Sequence, residues 1–165
     1  MVCKITLTRG FEALVDPADY ERFLGNGKWT AHPGYKGKVY AKRYGRKNGK
    51  QCVVFLHRLI TDAPDGMVVD HINGNTLDNR RSNLRLCTHQ QNSWNRKSTV
   101  ANTGFFGVHK NFRKNSWRGI VCLNGKLHYT RSCKSPEQAA RLRDELAIRL
   151  CGEFATLNFP TERIA

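Results

Sequence analysis

The chain has 165 residues, 39% hydrophobic and 10% aromatic, with a net charge of +15 and an isoelectric point near 10.0. That apolar content argues against wholesale disorder, and the length fits one compact domain or two small ones. A field of this sign draws polyanions, nucleic acid first among them. No run approaches membrane-spanning length, and the first residues lack the apolar stretch of a signal peptide, so a soluble, unexported protein is expected.

Six cysteines (Cys3, Cys52, Cys87, Cys122, Cys133, Cys151) include no Cys-x-x-Cys pair. They read as free thiols in a reducing cytosol, with no structural zinc. Charge is uneven. Residues 1–60 carry 12 basic and 4 acidic groups, residues 61–98 carry 5 and 4, and residues 99–165 carry 11 and 5. A near-neutral centre between basic flanks suits a reactive site held between two phosphate-gripping surfaces.

In chain order, Lys4–Thr8 and Glu12–Val15 read as short strands around a break at Gly10. Asp16 and Pro17 read as the cap and first residue of a helix that Gly25-Asn26-Gly27 stops. Residues 28–32, 38–43 and 51–56 then alternate like strands of a small antiparallel sheet with basic turns. Lys36, Lys38, Lys42, Arg43, Arg46, Lys47 and Lys50, interleaved with Tyr35, Tyr40 and Tyr44, form a candidate phosphate-contacting face.

The central stretch is the most informative. Leu56–Ile60 reads as a short helix ended by Pro64-Asp65-Gly66, and Met67–Asp70 as a strand. Neighbouring strand residues point to opposite faces, so Asp70 and His71 can serve different partners. A loop rich in Asn, Asp and Gly follows, then a strand at Leu84–Cys87. Thr88-His89-Gln90-Gln91 is a capping-box pattern that starts a helix at His89 and puts Asn92 on its first turn. The unit is ββα, with acid, imidazole and amide converging. Cutting a phosphodiester needs an activated water and neutralisation of the phosphate. Histidine is the natural base near neutral pH, and carboxylate and amide oxygens are hard ligands suited to Mg²⁺.

The order Asp70-His71, then Asn83 within Asn83-Leu84-Arg85, then Asn92 on the next helix resembles the HNH endonucleases, in particular the phage and homing type without zinc knuckles. His57-Arg58 is also similar to that subgroup. The resemblance implies His71 as general base and Asp70 and Asn92 as ligands of one Mg²⁺ or Mn²⁺. Asn83 would be a loop-bracing amide that orients His71. The products would carry 5′-phosphate and 3′-hydroxyl ends. Asn92 stands where many relatives have histidine, and His89 is the nearest alternative.

Residues 94–102 read as a polar basic connector. Beyond it come strand-like runs at 106–110, 116–123 and 126–132, with the hairpin signal Asn124-Gly125 between the last two. A helix then opens at Ser135-Pro136, with Leu142, Leu146 and Leu150 as its core stripe beside Ala139 and Ala147. Arg141, Arg143 and Arg149 are expected on its other faces. Three strands and one helix, with Trp117-x-x-Ile120 in the second strand and the ending Gly152–Pro160, look like the APETALA2-type DNA-binding domain. The resemblance covers roughly residues 103–160. It implies a sheet laid in the major groove, with His109, Arg113, Trp117, Arg118, Lys126, His128 and Arg131 as candidate DNA contacts, Trp117 serving equally well as a core anchor.

The expectation is an α+β chain. Residues 1–97 form the nuclease domain, with a basic β-rich part at 1–55 and the ββα-metal motif at about 66–97. Residues 98–165 form the second, DNA-binding domain. The expected activity is cleavage of double-stranded DNA by a monomer in the bacterial cytoplasm of a phage or mobile-element host. The alternative is a DNA-binding regulator with a degenerate core.

Overall fold

The computed structural model describes residues 1–24, 27–47, 49–94 and 103–160, with the side chains of Leu24 and Lys47 outside that description. It is a mixed α+β structure of small antiparallel sheets and few helices in two compact units, Met1–Thr88 and His89–Ala165. The expected domain boundary at 97/98 and most of the connector fall in residues 95–102, outside the described residues.

The first unit begins with a hairpin, β1 (Cys3–Thr6) and β2 (Glu12–Val15), followed by α1 (Pro17–Leu24). Alternation decides which side faces inward: Ile5, Ala13 and Val15 are buried while Lys4 and Glu12 pair in solvent at 2.7 Å. A three-stranded sheet follows in the order β3 (Thr30–Pro33), β4 (Val39–Lys47), β5 (Lys50–Phe55). Strand β3 covers β4 only as far as the Thr30–Lys42 pair, so β4 and β5 run on as a two-stranded ribbon. Ala41 and Trp29 are buried beneath this sheet, and the guanidinium of Arg43 lies 5.3 Å from the Trp29 ring. Next come α2 (Leu56–Ile60) and the hairpin of β6 (Val68–His71) with β7 (Leu84–Cys87). One apolar cluster, including Ile5, Val15, Phe23, Trp29, Leu56, Val69 and Leu84, joins all these pieces.

The second unit holds α3 (His89–Trp94), the sheet β8 (Val108–Asn111), β9 (Ser116–Leu123), β10 (Lys126–Tyr129), and α4 (Pro136–Cys151). Asn124 and Gly125 adopt φ of 54° and 75°, the left-handed pair a two-residue hairpin turn requires. Strand β10 stops at Tyr129, earlier than its alternation predicts. There the hydroxyl of Thr130 accepts the Gly119 N–H at 2.8 Å. Ser135 caps α4 by accepting the Gln138 N–H, and Gly152 ends it at φ 56°.

The face of α4 differs from expectation. Ala139, Ala140, Leu146, Ala147 and Cys151 are buried, whereas Leu142 and Leu150 are half-buried. Arg143, expected outside, is only 4% exposed. Its guanidinium lies 4.1 Å over the Phe106 ring and donates to Asp144 and to the Thr156 carbonyl. Asp144 in turn accepts from the Asn158 and Phe159 backbone N–H groups at 2.6 and 3.0 Å. The Arg143–Asp144 pair therefore clamps residues 156–159 onto α4. A guanidinium so engaged is taken away from solvent and from DNA.

Candidate active site

Asp70 and His71 close strand β6, and both are buried. Asp70 lies opposite Arg85 in the ladder, and Oδ2 of Asp70 accepts from Nε and Nη2 of Arg85 at 2.9 and 2.8 Å. Both members of the pair are shielded, so the carboxylate is fixed at the strand's end.

His71 turns the other way. Its Nε2 lies 3.4 Å from Oδ1 of Asn79, which is fully buried at 0% exposure. The Asn79 amide donates from Nδ2 to the Leu77 carbonyl at 3.1 Å, which fixes oxygen as the atom facing His71. An amide oxygen only accepts, so Nε2 carries the hydrogen and the lone pair is left on Nδ1. Burial pushes the His71 pKa down from 6.5, against the opposing pull of the Asn79 bond and Asp70. A ring so placed is neutral at physiological pH, with an unprotonated nitrogen available.

The loop between the strands is braced by its own polar groups. Asn83 accepts the Asn73 N–H at 2.9 Å through Oδ1 and donates to the Asp78 carbonyl at 2.8 Å through Nδ2. Arg80 donates to both oxygens of Asp78 and holds that carboxyl below the usual carboxylate range. The loop is tied outward as well. Arg81 donates to both oxygens of Asp19 on α1, and the Thr76 hydroxyl donates to the Val39 carbonyl on β4 at 2.6 Å.

The first unit thus gathers Asp70, His71, Asn79 and Asn83. Asn83 braces the loop, and the side-chain amide at the His71 ring is that of Asn79. Neither Asn79 nor Arg85 stands out in the sequence as a site residue. Asn79 is one of five asparagines between 73 and 92, and composition alone does not separate it from turn formers. The signal for Arg85 is its place two residues beyond Asn83, on the strand that pairs with Asp70. Asn92 is half-buried on α3 in the second unit.

Around His71 lies an aromatic group. Tyr40 touches Phe55, His57 and His71, with centroids 6.2, 5.7 and 6.3 Å away. Gly34 makes room for it, since a Cβ there would sit 2.6 Å from the Tyr40 ring. Tyr40, Lys42, Tyr44 and Arg46 share one face of β4 by alternation, so the basic ribbon face continues into this group. Lys42 lies 5.2 Å over the Tyr44 ring. Arg43 points to the opposite, core-facing side, and the Lys47 side chain lies outside the described residues. Lys38 is exposed, and its charge acts on His71. Arg58 donates to the carbonyls of Ala63, Pro64 and Met67, which pins the turn into β6.

In the second unit, His109, Arg118 and Tyr129 share the sheet face turned away from α4, with Arg118 4.5 Å over the Tyr129 ring. Trp117, Lys126 and His128 have the opposite parity, and Trp117 packs with Val108, Ala139 and Ala140. These three do not share the Arg118 face. Arg113, in the turn after β8, and Arg131, after β10, are exposed.

Among the described residues no cluster of three or more His, Cys, Asp or Glu side chains is arranged to hold a metal ion. The Asp70 carboxylate is a hard-oxygen donor, of the kind that suits a cation that keeps most of its own waters, such as Mg²⁺ or Mn²⁺. No helix among the described residues is long and apolar enough to cross a membrane.

A profile described as HNH endonuclease matches residues 54–94. The chain is 41% identical over 96 residues to Protein 3.8 of Escherichia phage T7, covering 56% of this chain and 76% of that one. It is 37% identical over 162 residues to the Acanthamoeba polyphaga mimivirus protein named "Uncharacterized HNH endonuclease L560", covering 88% of this chain and 83% of the relative. No solved structure matches it. With identity spread over most of both chains, and a profile that spans the stretch carrying Asp70 and His71, the chain belongs to the HNH endonuclease family and is a DNA nuclease.

Proposed function

We propose that this nuclease hydrolyses one strand of duplex DNA per encounter, with His71 as the general base. The observation that carries the reading is the Asn79 lock on the His71 ring, which leaves Nδ1 as a neutral acceptor for a proton from water. Asp70 and Asn92 would hold one Mg²⁺ or Mn²⁺, a group that supplies charge stabilisation at the phosphate and the 3′ leaving oxygen. Arg85 keeps Asp70 oriented, and Asn83 keeps the loop closed behind His71. The products are 5′-phosphate and 3′-hydroxyl ends.

DNA is held by two basic surfaces. The first is Lys38, Lys42 and Arg46, with Lys47 farther along the same strand, while Arg43 turns to the core side. The second is the APETALA2-like unit, with Arg118 and His109 on its outer face and Arg113 and Arg131 at its rim. Trp117 packs with Ala139 and Ala140 of α4, and Lys126 and His128 lie on that same side of the sheet. Residues 1–97 act as the nuclease domain and 98–165 as the binding domain of a monomer. The T7 relative and the zinc-free motif support a phage or homing-type enzyme working in a bacterial cytoplasm.

The decisive experiment is nicking of supercoiled plasmid with Mg²⁺, followed by end analysis. His71→Ala should lower the rate by at least about a thousandfold while duplex affinity stays within about threefold, since general-base loss and misplacement compound. Normal cutting by His71→Ala overturns the assignment.

A further inference from the structure

His57 belongs to α2 and lies directly against the base, yet general-base hydrolysis at His71 gives its ring nitrogens no part. The His57 and His71 rings meet edge to face, with centroids 5.3 Å apart and planes at 79°. Phe55 stacks on His57 at 5.5 Å and 20°, and Tyr40 closes a third side. In this packing Nδ1 of His57 is shut off from solvent and has no hydrogen-bond partner among the described residues, whereas Nε2 is not sealed in this way. A buried polar atom without a partner is destabilising. Phenylalanine would fill the same slot without that cost, so packing alone does not account for an imidazole here.

Burial, and then the proximity of the His71 ring and of the Arg58 guanidinium, drives the His57 pKa down to about 3. The ring is therefore neutral and carries one N–H. An unpaired bare nitrogen is tolerated better than an unpaired buried N–H, which assigns the hydrogen to Nε2. Lys38 acts on the same site and draws phosphate toward it.

We propose that the Nε2–H of His57 is an uncharged hydrogen-bond donor to a phosphate oxygen of the DNA strand that His71 cuts. The assignment rests on the nuclease mechanism proposed for His71. It makes His57 a substrate-contacting residue rather than a wall of the site. It also gives two imidazoles a ring's width apart different roles. His71 accepts a proton from water, and His57 donates a hydrogen bond without transferring its proton.

The experiment compares wild type, His57→Phe and His57→Gln as full chains on a plasmid that the wild type nicks with Mg²⁺. Gln keeps an N–H near the Nε2 position, whereas Phe keeps the ring and removes the donor. The expected result for His57→Phe is a single-turnover cleavage rate lower by about ten- to a hundredfold, a duplex Kd within about threefold, and a melting temperature equal to or above wild type. His57→Gln should recover most of the rate. Wild-type cleavage by His57→Phe overturns the proposal, as does a lowered melting temperature for that variant. A His57→Gln variant as slow as His57→Phe overturns it too. A wild type that nicks no DNA would instead remove the nuclease mechanism on which the proposal stands.

Discussion

Asn79 shows how much of this site is held by one residue that never meets solvent. Its amide satisfies the Leu77 carbonyl and faces the His71 ring, while its backbone N–H donates to the Leu14 carbonyl at 2.8 Å. Asn79→Ala strips a buried acceptor and a buried donor at once. The expected loss is about 1–3 kcal/mol of stability, read from urea unfolding, with cleavage slowed more than DNA binding is weakened. Unchanged cleavage would detach Asn79 from the role proposed for His71. The two histidines also make stability depend on pH in a definite direction. Both have folded-state pKa values below the ordinary 6.5, His57 at about 3. The unfolded chain therefore takes up protons first. Stability from these groups is fully present above about pH 6.5 and is lost progressively as pH falls toward 3. The guanidinium midpoint should drop between pH 7 and 5, and less steeply in His57→Phe. A midpoint flat across that window contradicts the burial of both rings.

The elements are legible in the sequence where the pattern is local. Asn124-Gly125, Ser135-Pro136 and the alternation of Leu84–Cys87 each announce their structure within a few residues. What is not legible depends on partners distant in sequence. The Asp70–Arg85 pair needs the ladder register, and the Asp19–Arg81 fork joins residues 62 apart. Arg143 reads as a solvated helix residue because nothing local reports Gly107 and Gly119, which make room for it. At Gly119 an added Cβ would come within 2.4 Å of the Arg143 Cβ and 2.9 Å of the Ala139 carbonyl. Gly119→Ala should therefore push α4 off β9 and destabilise the second unit by about 1–3 kcal/mol. Differential hydrogen exchange in α4 would register it, and unchanged protection would count against the close approach.

Over the whole molecule, charge organises function more than shape does. A chain at +15 should bind DNA with a steep salt dependence, and each phosphate contact removed should flatten the log–log slope by about 0.9. The double substitution Lys42→Ala/Arg46→Ala should lower the slope by about two units. A slope equal to wild type would exclude the ribbon face from the contact set. The ribbon's basic residues have a second consequence. Strand β5 is the last strand of its sheet, and β4 loses the cover of β3 beyond Lys42, so both present backbone edges that could pair with another chain. Lysine and arginine along such an edge repel an identical copy and oppose strand-to-strand aggregation. The charge proposed to gather DNA would thus also oppose pairing along this open ribbon, and a neutralised ribbon would have to be kept dilute.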